Sequence, residues 1–208
     1  MARYTGAVCR LCRRQGEKLF LKGARCLTEK CSITRREYAP GDHGQGRSKA
    51  SNYGLQLKEK QKVKRIYGVM ERQFRKYFSM ATKTKGVTGK ILLQLLERRI
   101  DNVIFKLGMA SSRAQARQIV RHNHVYINSQ RVNIPSFLVK KDDIVEVKGK
   151  EKAVNGIKEN LKASADRSVP AWLDLSKEKM QAKIVRLPER EEVQHPIQEQ
   201  LIVELYSK

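Results

Sequence analysis

Residues 98–147, RRIDNVIFKLGMASSRAQARQIVRHNHVYINSQRVNIPSFLVKKDDIVEV, carry the pattern that decides the fold of this chain. After a first apolar helix, Ser111 or Ser112 is expected to cap a second one formed by RAQARQIVRHN. Two stretches rich in β-branched residues follow, VYIN at 125–128 and DIVEV at 143–147, and they predict strands. The stretch therefore predicts two helices packed on a small antiparallel sheet.

Upstream of this stretch, apolar residues recur at helical spacing. Ser51 or Asn52 can cap a helix, Gly68 interrupts it, and a second helix is expected at roughly 71–82. The apolar pattern over 88–107 is typical of one long core helix. This part of the chain is therefore expected to be helical.

Downstream, the pattern predicts a helix at 153–163, turns and strands over 169–187, and a short tail helix over 196–206. The tail helix carries its apolar residues on one side, and only the earlier helices could supply a partner for that side. These residues are Ile197, Leu201, Ile202 and Leu205.

The four cysteines of the chain all lie within its first 31 residues. They form a C-x2-C pair and a C-x4-C pair separated by a loop, a spacing that can bring four thiolates to one tetrahedral Zn²⁺. Residues 1–46 contain too few apolar side chains to form a core unaided, so a cross-link is expected. We interpret the cysteines as one structural zinc site without an open position for a substrate; an iron–sulfur cluster, free thiols or disulfides are the alternatives. The expected ligands are Cys9, Cys12, Cys26 and Cys31.

Histidines offer weaker ligand candidates. His43 lies in the Gly-rich run PGDHGQGR, which lacks the spacing of a nucleotide-binding loop and is interpreted as a turn. His122 and His124 form an H-x-H pair, and a place at a helix end, where the dipole favours a cation, explains them without a metal.

The charge of the chain points to a polyanionic partner. The formal net charge is +23 and the sequence pI is about 10.1. Residues 1–85 hold 22 Lys and Arg against 6 Asp and Glu, so the excess is concentrated in the first part of the chain. Such a bias favours nucleic acid or an anionic membrane surface. With no apolar run long enough for a membrane span and no signal-peptide core, we expect a cytoplasmic protein in a reducing compartment.

One helix of the stretch at 98–147 shows a stripe of cations. Arg113, Arg117 and Arg121 follow at intervals of four residues and are expected to project from one face. No carboxylate lies between Ser111 and His124 to neutralise them, which favours a polyanion contact over an ordinary solvated face.

The pattern at 98–147 resembles the small RNA-binding domain of the small-subunit ribosomal protein S-four family. MARYTGAVCRLCRRQG, the PGDHG turn, RIYGVMERQFRKYF at 65–78 and the closing LIVELYSK resemble the same family, including its zinc-bearing form with these cysteines. The similarity covers essentially the whole chain. Gln45 and Gly46 depart from a common Ala–Arg pair, and Asn123 and Ser129 stand where the family domain usually has glycine.

This resemblance implies an α+β architecture. A small zinc-bound module at 1–46 would precede a mostly helical domain at 47–95, which the segment 165–208 would complete. An inserted α/β RNA-binding domain at 96–164, two helices on a small antiparallel sheet, would lie between them.

The resemblance also implies a structural constituent of the small ribosomal subunit. Such a protein is a primary binder of 16S rRNA that nucleates assembly of the 5′ domain and supports translational accuracy. Its partners would be 16S rRNA, messenger RNA near the channel through which it enters, and the ribosomal protein S-five, with no membrane and no small-molecule substrate.

Two other functional classes compete with a ribosomal protein. No stretch is left over for the catalytic domain of a pseudouridine synthase, so we expect no enzymatic activity. A zinc-containing RNA-binding regulator of translation or transcription is the alternative. The residues expected to contact RNA are Arg3, Arg10, Arg13, Arg14, Arg25, Arg47, Lys49, Lys58, Lys62, Arg65, Arg72, Arg75, Lys76, Arg98, Arg99, Arg113, Arg117 and Arg121.

Overall fold

A computed structural model describes residues 3–46, 51–164, 168–193 and 195–207. The chain forms two compact units, one of Met1–Leu92 with His195–Lys208 and the other of Leu93–Gln194. None of the described helices is long and apolar enough to span a membrane. In chain order the elements are α1 (Val8–Gln15), α2 (Ser32–Arg35), α3 (Asn52–Tyr67), α4 (Glu71–Lys83), α5 (Thr88–Glu97), α6 (Ile100–Lys106), α7 (Arg113–Arg121), β1 (Val125–Ile127), β2 (Gln130–Val132), β3 (Ile144–Val147), α8 (Glu151–Ala163), β4 (Leu173–Ser176), β5 (Gln181–Ile184) and α9 (Glu199–Tyr206), with short 3-10 turns at Gly23–Cys26 and Arg190–Glu192.

Helix α3 is bounded by residues that the sequence predicts. The Ser51 hydroxyl accepts a hydrogen bond of 3.1 Å from the amide of Gly54 and so begins α3. Gly68, in the left-handed conformation at φ 61°, ends it. Of the two candidate caps, Ser51 is the one that the structure shows, and the predicted interruption at Gly68 is confirmed.

The tail helix α9 packs on α3, as its apolar pattern predicts. Ile202 is fully buried, and Ile197 just before the helix is also buried. The side-chain amide of Gln56 donates a 3.0 Å hydrogen bond to the carboxylate of Glu204. The tail is thus part of the helical unit.

The second unit is built on a five-stranded antiparallel sheet with the strand order β2-β1-β3-β5-β4. Strand residues alternate between a buried and a more exposed face. The core contains Val125, Val145, Val147, Ala182 and Ile184 from the strands together with Ile100, Ile104, Ala116, Val120 and Trp172 from the rest of the unit.

Strands β4 and β5 correct the predicted domain boundary. Val145 of β3 pairs with Ala182 of β5, and β5 pairs in turn with β4. Residues 168–193 therefore belong with the sheet, whereas the sequence interpretation gave all of 165–208 to the helical domain. Only the last part of that segment, which contains α9, returns to the helical unit.

The single long helix predicted over 88–107 is wrong, because the chain breaks at Arg98 and Arg99. Arg99 is extended, with φ −64° and ψ 134°, and forms an antiparallel bridge with Leu138. The carbonyl of Arg98 accepts a 3.0 Å hydrogen bond from the amide of Val139. Pairing with the 138–139 segment takes the place of the helical hydrogen bonds, so α5 and α6 are separate helices.

Candidate nucleic-acid interface and cysteine module

Helix α4 presents a row of cations on its exposed side. Residues spaced three, four and seven positions apart lie on one face of a helix, and the spacing of these cations follows that rule. Phe74, Tyr77 and Ala81 occupy the opposite, buried side. The exposed cations, here named the α4 basic face, are Arg72, Arg75, Lys76 and Lys83.

Within the part of the chain that the structure describes, the side chains of Arg72, Lys76 and Lys83 contact no acidic group. Arg75 lies 3.4 Å from Glu71, yet its side chain is 71% exposed. From Arg72 to Lys83 the face runs about 16 Å along the helix axis. It is an elongated, cationic surface on which Arg75 is the only member with an acidic neighbour among the described residues.

The acidic residue of α4, Glu71, is bound on the inner side of the helix. Its carboxylate accepts hydrogen bonds from Lys60 at 3.2 Å, from Lys64 at 2.7 Å and from the hydroxyl of Tyr206 at 2.8 Å. Burial alone would raise the pKa of Glu71, but these donors outweigh it and lower the pKa to about 2. Its negative charge is thus neutralised mainly by Lys60 and Lys64, with a hydrogen bond from the tail helix and Arg75 as a further cationic neighbour.

The arginine stripe of α7 does not project freely, contrary to the prediction. Arg117 is buried and lies 3.6 Å from the carboxylate of Asp101, which also pairs with Arg99. Arg113 donates a 2.8 Å hydrogen bond to Asn102. Of the three arginines, Arg121 alone is exposed. The compensating carboxylate comes from α6, a different helix, so the local sequence could not reveal it.

Three other predicted RNA contacts are turned inward. Arg99 is fully buried against Asp101, and Lys62 is buried in ion pairs. The guanidinium of Arg98 donates a 2.8 Å hydrogen bond to the carbonyl of Val139, and burial lowers its pKa. These residues stabilise the fold, and Lys62 and Arg99 are removed from the candidate contacts.

Three arginines of the N-terminal module donate hydrogen bonds to backbone carbonyls of the same module. Arg13 donates to the carbonyl of Tyr38 at 3.0 Å, and Arg14 donates to the carbonyl of Pro40 at 2.9 Å. Arg25 donates to the carbonyl of Lys30 at 3.4 Å. Arg14 and Arg25 remain exposed, and Arg13 is half-buried.

The remaining predicted contacts fall into three groups. Arg3, Arg10 and Lys58 are exposed, and Arg65 is half-buried with a 3.1 Å hydrogen bond to Gln15. Arg47 and Lys49 lie outside the described residues. Lys83 was not among the predicted contacts, because the helix was expected to end at roughly residue 82. Its seven-residue spacing from Lys76 is the signal that places it on the same face.

The four cysteine side chains border one cavity in the N-terminal module, and all four are free thiols. Cys9 and Cys12 lie on α1, Cys26 ends a 3-10 turn, and Cys31 immediately precedes α2. Among the described residues, no three His, Cys, Asp or Glu side chains are arranged so that they could hold a metal ion. The two pairs therefore meet around one cavity without forming a ligand set.

The thiols of this cavity influence one another. Burial raises the pKa of Cys12 and of Cys26, and the neighbouring cysteines raise both further. The amide of Lys22, 3.3 Å from the sulfur of Cys26, acts in the opposite direction. For Cys31, burial is outweighed by the amides of α2, and its pKa is lowered. Backbone amides are thus already directed at the sulfur atoms.

Comparison with known proteins identifies the family. Residues 3–97 match the model of the ribosomal protein S4/S9 N-terminal domain, and residues 98–145 match that of the S4 domain. The chain is 61% identical to the small ribosomal subunit protein uS4 of Thermodesulfovibrio yellowstonii, over the full length of both chains. The identity is 58% to the uS4 protein of Pelotomaculum thermopropionicum and 59% to that of Geotalea daltonii, again over both full lengths. Because the two domain models together match residues 3–145 and the similarity to uS4 proteins covers the full length, the chain belongs to the ribosomal protein uS4 family.

Proposed function

We propose that this chain is a structural, non-catalytic constituent of the small ribosomal subunit that binds 16S rRNA. The relatives named above are small-subunit proteins, and both matched domains belong to that family. The observation that carries the proposal is the α4 basic face, of which only Arg75 contacts Glu71, whose carboxylate otherwise binds Lys60, Lys64 and Tyr206. A polyanion such as RNA would neutralise the positive charge of this face.

The chemistry of the α4 basic face suits the phosphate backbone. Lysine and arginine contacts to phosphates position a protein on RNA, whereas sequence is read by contacts to base edges. Four cations along a rigid helix provide a fixed row of charges for one strand of a folded RNA. Exposed cations elsewhere add to this surface, namely Arg3, Arg10, Lys58 and Arg121.

The finer parts of the proposal rest on the family resemblance. They are nucleation of 5′-domain assembly, a contribution to translational accuracy, contact with messenger RNA near its point of entrance, and contact with S-five. Arg47 and Lys49, assigned to the messenger contact, lie outside the described residues. A place in the ribosome implies that the chain acts in the cytoplasm.

Sedimentation of a cell lysate through a sucrose gradient tests the central proposal. At low salt the chain should travel with the small subunit and with 70S-size particles, and it should stay with the RNA when loosely held proteins are washed off. A chain found only at the top of the gradient would contradict a structural role in the ribosome.

We also propose that the four cysteines bind one structural zinc ion. They supply the four-thiolate donor set that zinc prefers, they border one cavity, and the amide of Lys22 is already directed at a sulfur. Leu19 is the one fully buried aliphatic side chain described in residues 3–46, so the module lacks an apolar core. Zinc would provide a cross-link there, and the thiols must draw closer together to become its ligands.

Metal analysis of the purified chain tests the zinc proposal. One zinc per chain is expected, and Cys9→Ser should lower its affinity sharply. The matched variant Ser32→Ala, which changes a non-ligand on the rim of the same cavity, should retain the metal. Iron with visible absorbance would overturn the assignment in favour of an iron–sulfur cluster, and a metal-free, fully reactive set of thiols would reject any metal.

A further inference from the structure

Lys62 joins three separate segments of the helical unit. Its ammonium lies 3.1 Å from Glu17, in the loop between the two cysteine pairs, and 3.4 Å from Glu59 on α3. It also donates a hydrogen bond to the carbonyl of Pro196, at the start of the tail segment. The Lys62 side chain is only 9% exposed, so water has little access to its ammonium group.

Glu59 extends the same junction to the tail. Its carboxylate accepts a 2.9 Å hydrogen bond from the amide of Gln198, directly before α9. The first residues of the tail are therefore held by both members of the Lys62–Glu59 pair. Any displacement of Lys62 leaves the carbonyl of Pro196 and the largely buried carboxylate of Glu59 with fewer partners.

A second contact links the same two segments independently. The ring of Phe20 lies 6.4 Å from the ring of His195, between centroids. Phe20 has a φ of 51°, a left-handed conformation that is costly for an aromatic residue. The same bend precedes Lys22, whose amide donates to the sulfur of Cys26. The loop therefore contacts a cysteine on one side and the tail on the other.

We propose that closure of the cysteine loop, Gly16 to Lys22, and docking of α9 on α3 are energetically coupled through Lys62 and the Phe20–His195 contact. The cysteine module thereby acts on the opposite end of the chain, and the order of one segment sets the order of the other. This coupling concerns folding of the helical unit, and it goes beyond the proposed RNA binding.

Amide hydrogen exchange of the full-length chain, under reducing conditions, tests the coupling in one direction. Glu17→Gln should accelerate exchange in the α9 peptide by about fivefold or more, the lower range of typical coupling energies. Glu29→Gln removes the same charge from an exposed residue of the same module and should leave α9 unchanged. The α7 peptide serves as an internal reference for global unfolding.

Thiol reactivity tests the coupling in the other direction, because coupling between two sites is reciprocal. Ile202→Val should mildly loosen α9 and raise the reaction rate of the module thiols with a maleimide, whereas exposed Gln200→Ala should not. Unchanged α9 exchange in Glu17→Gln, equal acceleration of the α7 peptide, or unchanged thiol reactivity in Ile202→Val would each overturn the proposal. Sedimentation with the small subunit is measured separately, so failure of the two proposals can be told apart.

Discussion

Two residues that flank strand β1 adopt left-handed backbone conformations. Asn123 before the strand and Ser129 after it have φ values of 64° and 66°, in the left-handed region. The family resemblance places glycine at both positions, and the sequence therefore predicts that serine is strained there if φ is positive. The structure confirms the positive φ. Asn tolerates this conformation better than serine, so the strain is concentrated at Ser129.

Ser129→Gly should therefore stabilise the chain. The free energy gained by relieving the left-handed strain is larger than the entropic cost of ordering glycine on folding. The free energy of unfolding should therefore rise by about 0.5–1 kcal/mol. The measurement is the free energy of unfolding in urea. Ser79→Gly, the same exchange at an exposed position inside α4, should instead cost about 0.5–1 kcal/mol. Loss of stability in both variants would contradict the strain at Ser129.

Glu71 gives stability a dependence on pH. Its folded-state pKa of about 2 lies below the ordinary value of 4.5, so the carboxylate stabilises the folded state above pH 4.5. This contribution is lost as pH falls from 4.5 toward 2. Because a third of the side chain is exposed, solvent screening limits it to about 1–2 kcal/mol.

Glu71→Gln should lower the free energy of unfolding by that amount at pH 7 and by much less near pH 2. Urea titrations at both pH values measure the difference from wild type. Glu191→Gln, at an exposed residue with no described side-chain contact, is the control and should follow wild type at both. A constant difference across pH would show that the Glu71 charge is unimportant.

At the scale of elements, two arginines on the same face of helix α7 differ in environment: Arg117 is buried and Arg121 is exposed. Arg117→Ala would deprive buried Asp101 of one of its two arginine partners and should cost about 2 kcal/mol of stability. Arg121→Ala removes an exposed cation and should change stability by less than about 0.5 kcal/mol. Thermal unfolding of both variants provides the comparison. Equal, small losses would mean that Arg117 is solvated after all.

Helix boundaries show which elements can be predicted from the sequence. Caps such as Ser51 and Gly68 act within a few residues, and both were predicted correctly. The break at Arg99 depends on Leu138, which lies 39 positions further along the chain. Apolar spacing runs through the break without interruption, so no local pattern could reveal it.

The same limit applied to the candidate interface. Charge and helical spacing were sufficient to predict Arg72, Arg75 and Lys76 as exposed cations of one helix. They could not separate these residues from Lys62, which pairs with Glu17 of a distant segment, or from Arg99, which the packing of the sheet unit buries against Asp101 two positions away. Burial of an arginine depends on packing between elements, and packing has no signal in the local sequence.

At the scale of the whole molecule, chain order and spatial grouping differ. Strands β4 and β5 join a sheet begun far upstream, while α9 returns to the helical unit. The packing of α9 on the helical unit could be predicted, because its apolar side needs a partner that only the earlier helices could supply. The sheet extension could not be predicted, because four-residue strands alternate too briefly to specify a partner.

The salt dependence of binding to the 5′ domain of 16S rRNA tests the account most directly. In Arg72→Ala/Lys76→Ala/Lys83→Ala, the slope of log affinity against log salt should fall in magnitude by about 2–3, because each lost phosphate contact lowers it by nearly one. The control Lys158→Ala/Lys162→Ala/Lys179→Ala removes the same charge from exposed positions of the sheet unit and should leave the slope within about one of wild type. Equal slopes in the two triple variants would contradict the central claim that the α4 basic face binds the RNA.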